Sequence, residues 1–240
     1  NQACTDVDDE QIVRRIVFEC IVKYRRMKNR GVVAVFKREN YDRYSNFARI
    51  GQGSMGGKGR GLAFIDQIIK RNPVCEDFQG VQVTIPHTVV VCTDIFDEFM
   101  DANNLYPIAL SDVPDQVILD RFLKADLPDS VVADIAAFFD VVRKPVAVRS
   151  SSLLEDSHYQ PFAGIYSTYM VPFVENPGER MRMVTDAVKA VYASVFFADS
   201  KAYMNATSNV IDQEKMAVIL QEVAGADHKG MYYPTFSGVG

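Results

Sequence analysis

Apolar residues recur at steps of three and four through residues 10–28, where Ile12, Val13, Ile16, Val17, Cys20, Ile21 and Tyr24 follow the helical period. This pattern predicts an amphipathic helix. Its tail holds Arg25, Arg26, Lys28 and Arg30, cations that suit the negative end of a helix dipole and need no ligand to explain them. Gly31 ends the helix, residues 32–36 read as a strand, and the polar stretch 37–46 reads as a linker. The chain is therefore expected to divide near residue 45, into an N-terminal helical extension or linker over 1–45 and a second unit over 46–240.

In that second unit the spacing predicts a helix over 62–69, launched by a glycine-rich segment and stopped at Asn72-Pro73. Residues 81–91 are rich in β-branched side chains but contain Pro86, which fits either one strand or two edges meeting at a turn. Thr93 or Asp94 is placed to cap a short helix running through Met100. Two further helices are expected within 112–142, the second starting at Pro128, where a missing N–H costs nothing. Asn176-Pro177-Gly178-Glu179 combines a cap residue, a first-turn proline and a glutamate at the third helical position. Val184, Val188, Val191 and Val195 then form one apolar face. Residues 216–223 read as a strand containing Gln221 and Glu222. Helices interspersed with short apolar strands place the chain in the α/β or α+β classes.

Composition narrows the function classes. The chain has 240 residues, 48% of them hydrophobic, which is enough for a sizeable core. No apolar run reaches the roughly 18 residues of a membrane span, and no basic cluster leads into an apolar segment as in a secretory signal, so neither a membrane nor an export route is expected. The formal net charge of −5 argues against a broad nucleic-acid-binding face. The four cysteines, at 4, 20, 75 and 92, form no Cys-x-x-Cys pair and are read as reduced thiols of a cytoplasmic protein.

Two segments carry candidate chemistry. Residues 51–61 contain six glycines, with Lys58 and Arg60 among them; positions without a Cβ let backbone N–H groups approach an anion. Gly51, Gly53 and Gly56 satisfy the Gly-x-Gly-x-x-Gly spacing, but the preceding residues 44–50 read as a poor buried strand and no strand ending in an acidic residue is expected at the usual distance after it. The phosphate-loop pattern fails, since Lys58 is followed by Gly59 instead of Ser or Thr. The second segment starts at Arg149, where the apolar run Val146-Ala147-Val148 is expected to open into a polar loop beginning Ser150-Ser151-Ser152. A guanidinium there presents a planar fork of donors suited to phosphate oxygens.

Taken together, these segments resemble the nucleotide-binding region of the phosphoenolpyruvate synthase and pyruvate phosphate dikinase family. The resemblance rests on Gly56-Gly57-Lys58-Gly59 with Leu62, Pro86 followed by apolar residues and Thr93-Asp94-Ile95-Phe96, Ala147-Val148-Arg149-Ser150-Ser151, Glu155-Asp156, and Phe162-Ala163-Gly164, in the family's order. Tyr192-Ala193-Ser194-Val195-Phe196 and Gln221 continue it. It implies an α+β fold of ATP-grasp type, with ATP held between two lobes. Carried over by position, Lys58 and Arg149 would contact phosphates and act in catalysis, Gly164 and Thr168 would lie in the loop covering them, and Gln221 would stand beside the adenine. In that family ATP, with Mg2+, gives up a β,γ-pyrophosphoryl group to a histidine on a separate domain; phosphate is released and the remaining phosphoryl reaches pyruvate in a third domain. The synthase, in which water accepts the released phosphate, is preferred over the phosphate-using dikinase because three serines follow Arg149 and Phe-Ala-Gly follows them. A related phosphotransferase with another acceptor, such as a glucan or an antibiotic, and a non-catalytic ATP-sensing module are the alternatives.

The chain departs from the family pattern at Pro86-His87-Thr88, where a second proline and a glycine are usual, and at Arg60, where small residues are common. The family's metal-binding glutamate and glutamine follow a segment resembling Ser237-Gly238-Val239, so the domain is expected to be truncated at its C-terminal end and inactive alone. The opening Asn1 fits an excised piece. Glu155 and Asp156 fit either magnesium-arranging lid carboxylates or turn caps. His158 reads as an ordinary loop histidine, His87 and His228 are given no role, and Tyr166 and Tyr169 are read as core.

Overall fold

The computed structural model describes residues 13, 17, 34–36, 38, 46–72, 81, 83–152, 164–206 and 214–238. The helix predicted over 10–28, apart from Val13 and Val17, lies outside them, as do the linker residues 37 and 39–45, Glu155, Asp156, His158, Phe162 and Ala163. Val13 and Val17 are both helical.

Strand formation follows the β-branched runs. Strands β1 (Ala34–Val35), β2 (Phe47–Ile50), β3 (Thr88–Val91), β4 (Val146–Ser152), β5 (Thr168–Val171) and β6 (Met216–Glu222) build a six-stranded sheet in the order β1-β2-β3-β6-β4-β5. The first three run parallel, and the pairs β3/β6, β6/β4 and β4/β5 are antiparallel. A hairpin of β7 (Ala226–His228) and β8 (Met231–Tyr233) forms a second small sheet. With its mixed sheet and several helices the domain is α+β. Strand β6 lies in the middle, and Met216 through Leu220 are fully buried, which explains its near-continuous apolar sequence.

Both faces of the sheet are covered, unequally. On one side, alternate strand residues such as Val89, Val91, Val146, Val148, Val218 and Leu220 meet α2 (Thr93–Ala102), α4 (Asp115–Leu123), α5 (Asp129–Val141), α6 (Pro177–Ser194) and α7 (Ala198–Ala206) in the main core. The short α3 (Tyr106–Ala109) packs at its edge, adding Ala109. An aromatic group centres this core: Tyr192 lies edge-on to Phe96, with centroids 5.1 Å apart, and 5.4 Å from Phe99. Each such buried side chain contributes roughly 1.5–3 kcal/mol relative to exposure. On the other side α1 (Gly56–Arg71) sets Met55, Leu62, Ala63 and Ile69 against Phe47, Val90, Ala217 and Ile219. Among the described residues no helix is long and apolar enough to cross a membrane.

Several boundaries differ from the sequence expectation for identifiable reasons. Among the described residues of the stretch 81–91, only 88–91 form a strand: Pro86 offers no N–H to a ladder, and its carbonyl instead accepts from Thr88 Oγ1 at 2.9 Å. Helix α1 starts at Gly56, six residues before the predicted onset, because the glycines let its first turn lie directly on the sheet. Strand β4 continues through Ser152, so Arg149 is mid-strand and not at a strand end. The N-terminus of α6 matches expectation, with Asn176 Oδ1 accepting from the Glu179 N–H at 3.1 Å. Val184, Val188 and Val191 are fully buried on its core face.

Candidate functional site

The glycine-rich segment divides into two parts with different tasks. In the first, the Gln52 N–H donates to Asp94 Oδ2 at 2.7 Å and the Ser54 N–H to Thr93 Oγ1 at 2.9 Å. The Thr93 N–H returns a bond to the Ser54 carbonyl at 3.0 Å. The sequence offers Thr93 or Asp94 as the cap of α2; no side-chain cap bond is made there, and their oxygens hold the glycine segment instead. The approach is so close that a Cβ on Gly53 would lie 2.6 Å from the Asp94 nitrogen. Residues 51–54 are thus a knuckle gripped by the start of α2, and two of their amides are spent on it.

The second part is the first turn of α1. Gly56 has φ +68°, and a Cβ there would fall 1.8 Å from the Ser151 carbonyl oxygen; only glycine allows the helix to begin on β4. Ser151 Oγ accepts from the Gly59 N–H at 2.9 Å and donates to the Met55 carbonyl at 2.8 Å. Lys58 Nζ donates to both the carbonyl and the hydroxyl oxygen of Ser150 at 3.3 Å. Ser150, Ser151 and Ser152 are fully buried. Three serines that read as a polar loop are part of a buried strand, and the polar groups of Ser150 and Ser151 dock a helix, as buried hydroxyls need hydrogen-bond partners.

Side-chain alternation then fixes what lies beside that turn. Val146 and Val148 point into the main core, so Ala147, Arg149 and Ser151 face the α1 side. Thr168 is the register partner of Arg149 on β5, and Gln221 is that of Ala147 on β6. Thr168 is therefore the first residue of a strand and not part of a loop. Arg149 Nη1 donates to Gln221 Oε1 at 3.2 Å, and Gln221 Nε2 donates to Thr88 Oγ1 at 3.2 Å. Helix α1 starts on β4 at Ser151 and runs over Phe47, Val90, Ala217 and Ile219 of β2, β3 and β6; among the described residues the β5 edge beyond it is open, with Thr168 exposed and Met170 63% exposed. Gly164, exposed and at φ +82°, lies on the approach to β5.

The fold thus brings Lys58, Arg149, Thr168 and Gln221 to one open strip of sheet at the start of a helix. Two cations, the positive end of a helix dipole and a neutral amide meet there. Gly164 reaches it only through the chain leading into β5. Arg60, on the outer face of α1, is exposed. Of the residues that hold the site together, Thr88 has no role in the sequence reading, Thr93 or Asp94 is read there as a helix cap, and Ser150 and Ser151 as the start of a polar loop. The one signal that could have flagged two of them is three successive serines after an apolar run ending in an arginine.

At the same end of β6, Glu222 binds His87 Nδ1 at 2.9 Å and Lys144. The bond from His87, reinforced by that from Lys144, holds its carboxyl below the usual range against the opposing effect of burial. His87, given no role from sequence, is therefore part of an ion cluster where three strands end. Deeper in, burial and then Asp94 push the Cys92 thiol up to about 11 while Arg49 opposes them, and burial pushes the Tyr192 phenol well above its ordinary range. Among the described residues no three His, Cys, Asp or Glu side chains cluster so as to hold a metal ion.

No curated protein matches the chain. A family model does, over most of its length and across every element of this site. Residues 52–240 match the pyruvate phosphate dikinase AMP/ATP-binding domain, and the chain belongs to that family, carrying its nucleotide-binding domain.

Proposed function

We propose that the open strip beside the first turn of α1 binds the phosphates of ATP in an enzyme of phosphoenolpyruvate synthase type. The observation that carries this reading is the docking of α1 on β4, which places Lys58 on Ser150, the residue that follows Arg149, although 92 residues separate Lys58 from Ser150. Arg149 supplies a planar fork for phosphate oxygens and Lys58 a mobile point charge. Thr168 adds a hydroxyl on the neighbouring strand, and Gly164 gives the chain entering β5 a conformation that leaves room for a ligand. The resemblance and the family support an ATP-grasp arrangement in which a second lobe closes over the nucleotide.

In the reaction proposed, a histidine nitrogen on another domain attacks the β-phosphorus of ATP, and the bond to the α-phosphate oxygen breaks with AMP as leaving group. The histidine then carries a pyrophosphoryl group. Water removes its terminal phosphate, and the remaining phosphoryl passes to the enolate oxygen of pyruvate in a third domain. Lys58 and Arg149 neutralise the charge that builds on the α,β-bridging oxygen as AMP departs and hold the phosphate chain in line for attack. Mg2+ would enter with the nucleotide and screen its charge; the described residues supply no cluster to hold it alone.

The test is transfer of label from β-phosphate-labelled ATP to protein histidine in the full-length enzyme. Wild type should become labelled in an acid-labile form and pass the label to pyruvate. Arg149→Ala should lose labelling by about 100-fold or more with its melting temperature little changed. Normal labelling in that variant would sink the site, and label passing to a different acceptor would replace pyruvate.

A further inference from the structure

The hydrogen bonds of Gln221 point to a task other than contact with the base. Its amide is engaged at both ends. Thr88 has a single hydroxyl proton, which goes to the Pro86 carbonyl at 2.9 Å, so the Thr88 oxygen can only accept from Gln221. The amide nitrogen of Gln221 must therefore face Thr88, at 3.2 Å, and its oxygen must face the guanidinium of Arg149, also at 3.2 Å. The order of donors is fixed from end to end: Arg149 to Gln221, Gln221 to Thr88, Thr88 to Pro86. Thr88 is buried at 1% exposure, and the strands beneath are in register, Thr88 opposite Gln221 and Gln221 opposite Ala147. The Pro86 carbonyl, which can only accept, is the terminus of the chain.

We propose that Thr88 and Gln221 are positioning residues: a directional hydrogen-bond relay that orients the Arg149 guanidinium toward the phosphate site. This rests on the reading of Arg149 as a phosphate ligand and assigns Gln221 a role through Arg149, not at adenine. One fork nitrogen is tied to the sheet and the remaining donors are held in one orientation, so less freedom is lost when phosphate oxygens arrive. The relay also explains why a threonine stands at the fully buried start of β3, where a valine would pack equally well.

The test is a mutant cycle on ATP dissociation constants, measured by calorimetry with Mg2+ on the full-length protein, together with the side-chain NMR signal of Arg149 in protein labelled at arginine. Gln221→Leu and Thr88→Val should each weaken ATP binding about 10-fold, whereas Thr88→Ser, which keeps the hydroxyl, should stay within about 2-fold of wild type. In an Arg149→Ala background, Gln221→Leu should add less than about 2-fold, because its effect runs through the missing arginine. Full additivity would overturn the relay and return Gln221 to direct nucleotide contact. Without nucleotide, the Arg149 signal should broaden or shift toward that of a freely rotating guanidinium in Gln221→Leu and in Thr88→Val; an unchanged signal would also overturn it. If Arg149→Ala binds ATP as well as wild type, the nucleotide-site reading fails, while the NMR comparison still decides the relay on its own.

Discussion

Lys58 Nζ sits 3.3 Å from both the carbonyl and the hydroxyl oxygen of Ser150, so the cation of the glycine-rich turn is parked on the residue next to Arg149. Leaving that berth for phosphate exchanges two neutral acceptors for anionic ones. Lys58→Ala should weaken ATP binding by about 10- to 100-fold, the loss of one charge-assisted bond of roughly 1.5–3 kcal/mol. Calorimetric titration of the variant checks this, and unchanged affinity would remove Lys58 from the site.

The glycines of α1 should respond oppositely to alanine. Gly56→Ala places a methyl group against the Ser151 backbone, 1.8 Å from its carbonyl oxygen, at a positive φ. A loss on the order of 3 kcal/mol or more is expected as the helix start is pushed off β4. A Cβ at Gly61 meets nothing within 4 Å, and Gly61→Ala should stabilise by about 0.5–1 kcal/mol through helix propensity. Urea denaturation of the pair measures the contrast; equal effects would mean that α1 does not begin on β4.

Ser151→Ala removes both the acceptor for the Gly59 N–H and the donor to the Met55 carbonyl. Leaving these groups unsatisfied in a buried place should cost about 2 kcal/mol. Because Lys58 lies between Met55 and Gly59, ATP affinity should fall as well. Stability and affinity falling together in one variant would tie the docking of α1 to the site, whereas a stability loss alone would uncouple them.

Glu222 provides the pH dependence. Its folded-state pKa lies below the reference of 4.5, so between the two values the unfolded chain binds more protons and stability rises with pH. The contribution of Glu222 is present above about pH 4.5 and is lost as pH falls through the lowered folded value. Lys144 works in the other direction: its raised pKa gives a contribution present below the ordinary lysine value and lost as pH climbs through the raised one. Glu222→Gln should flatten the acid limb of a stability–pH profile relative to wild type, and parallel profiles would contradict the cluster.

Cys92 should be inert in the folded protein. With its thiol pushed up to about 11 from 9.0, its thiolate fraction near neutral pH is about 100-fold below that of an ordinary cysteine. Iodoacetamide labelling followed by peptide mass spectrometry should find Cys92 modified only after denaturant is added. Rapid native labelling would show that the β3–α2 junction opens.

Much of this protein was legible locally. Helical spacing placed the valine face of α6, the Asn176 cap set its start, β-branched residues marked β3 and β6, and the segments around Lys58 and Arg149 carried the family resemblance that the domain match over residues 52–240 supports. These signals concern a residue and neighbours a few positions away, so the chain alone determines them. What the sequence could not settle was where polar groups find partners. Ser150 to Ser152 read as a loop because hydroxyls favour loops unless something distant satisfies them; for Ser150 and Ser151, α1, 92 residues upstream, does so. Asp94 looked like a cap until its carboxylate met Gln52, 42 residues away. Arg149 looked like a lone cation, and its bond to Gln221 spans 72 residues. Residue types and local elements were written along the chain, whereas sheet order and helix docking chose the hydrogen-bond partners, because buried polar groups take whichever partners the packed structure brings within about 3 Å.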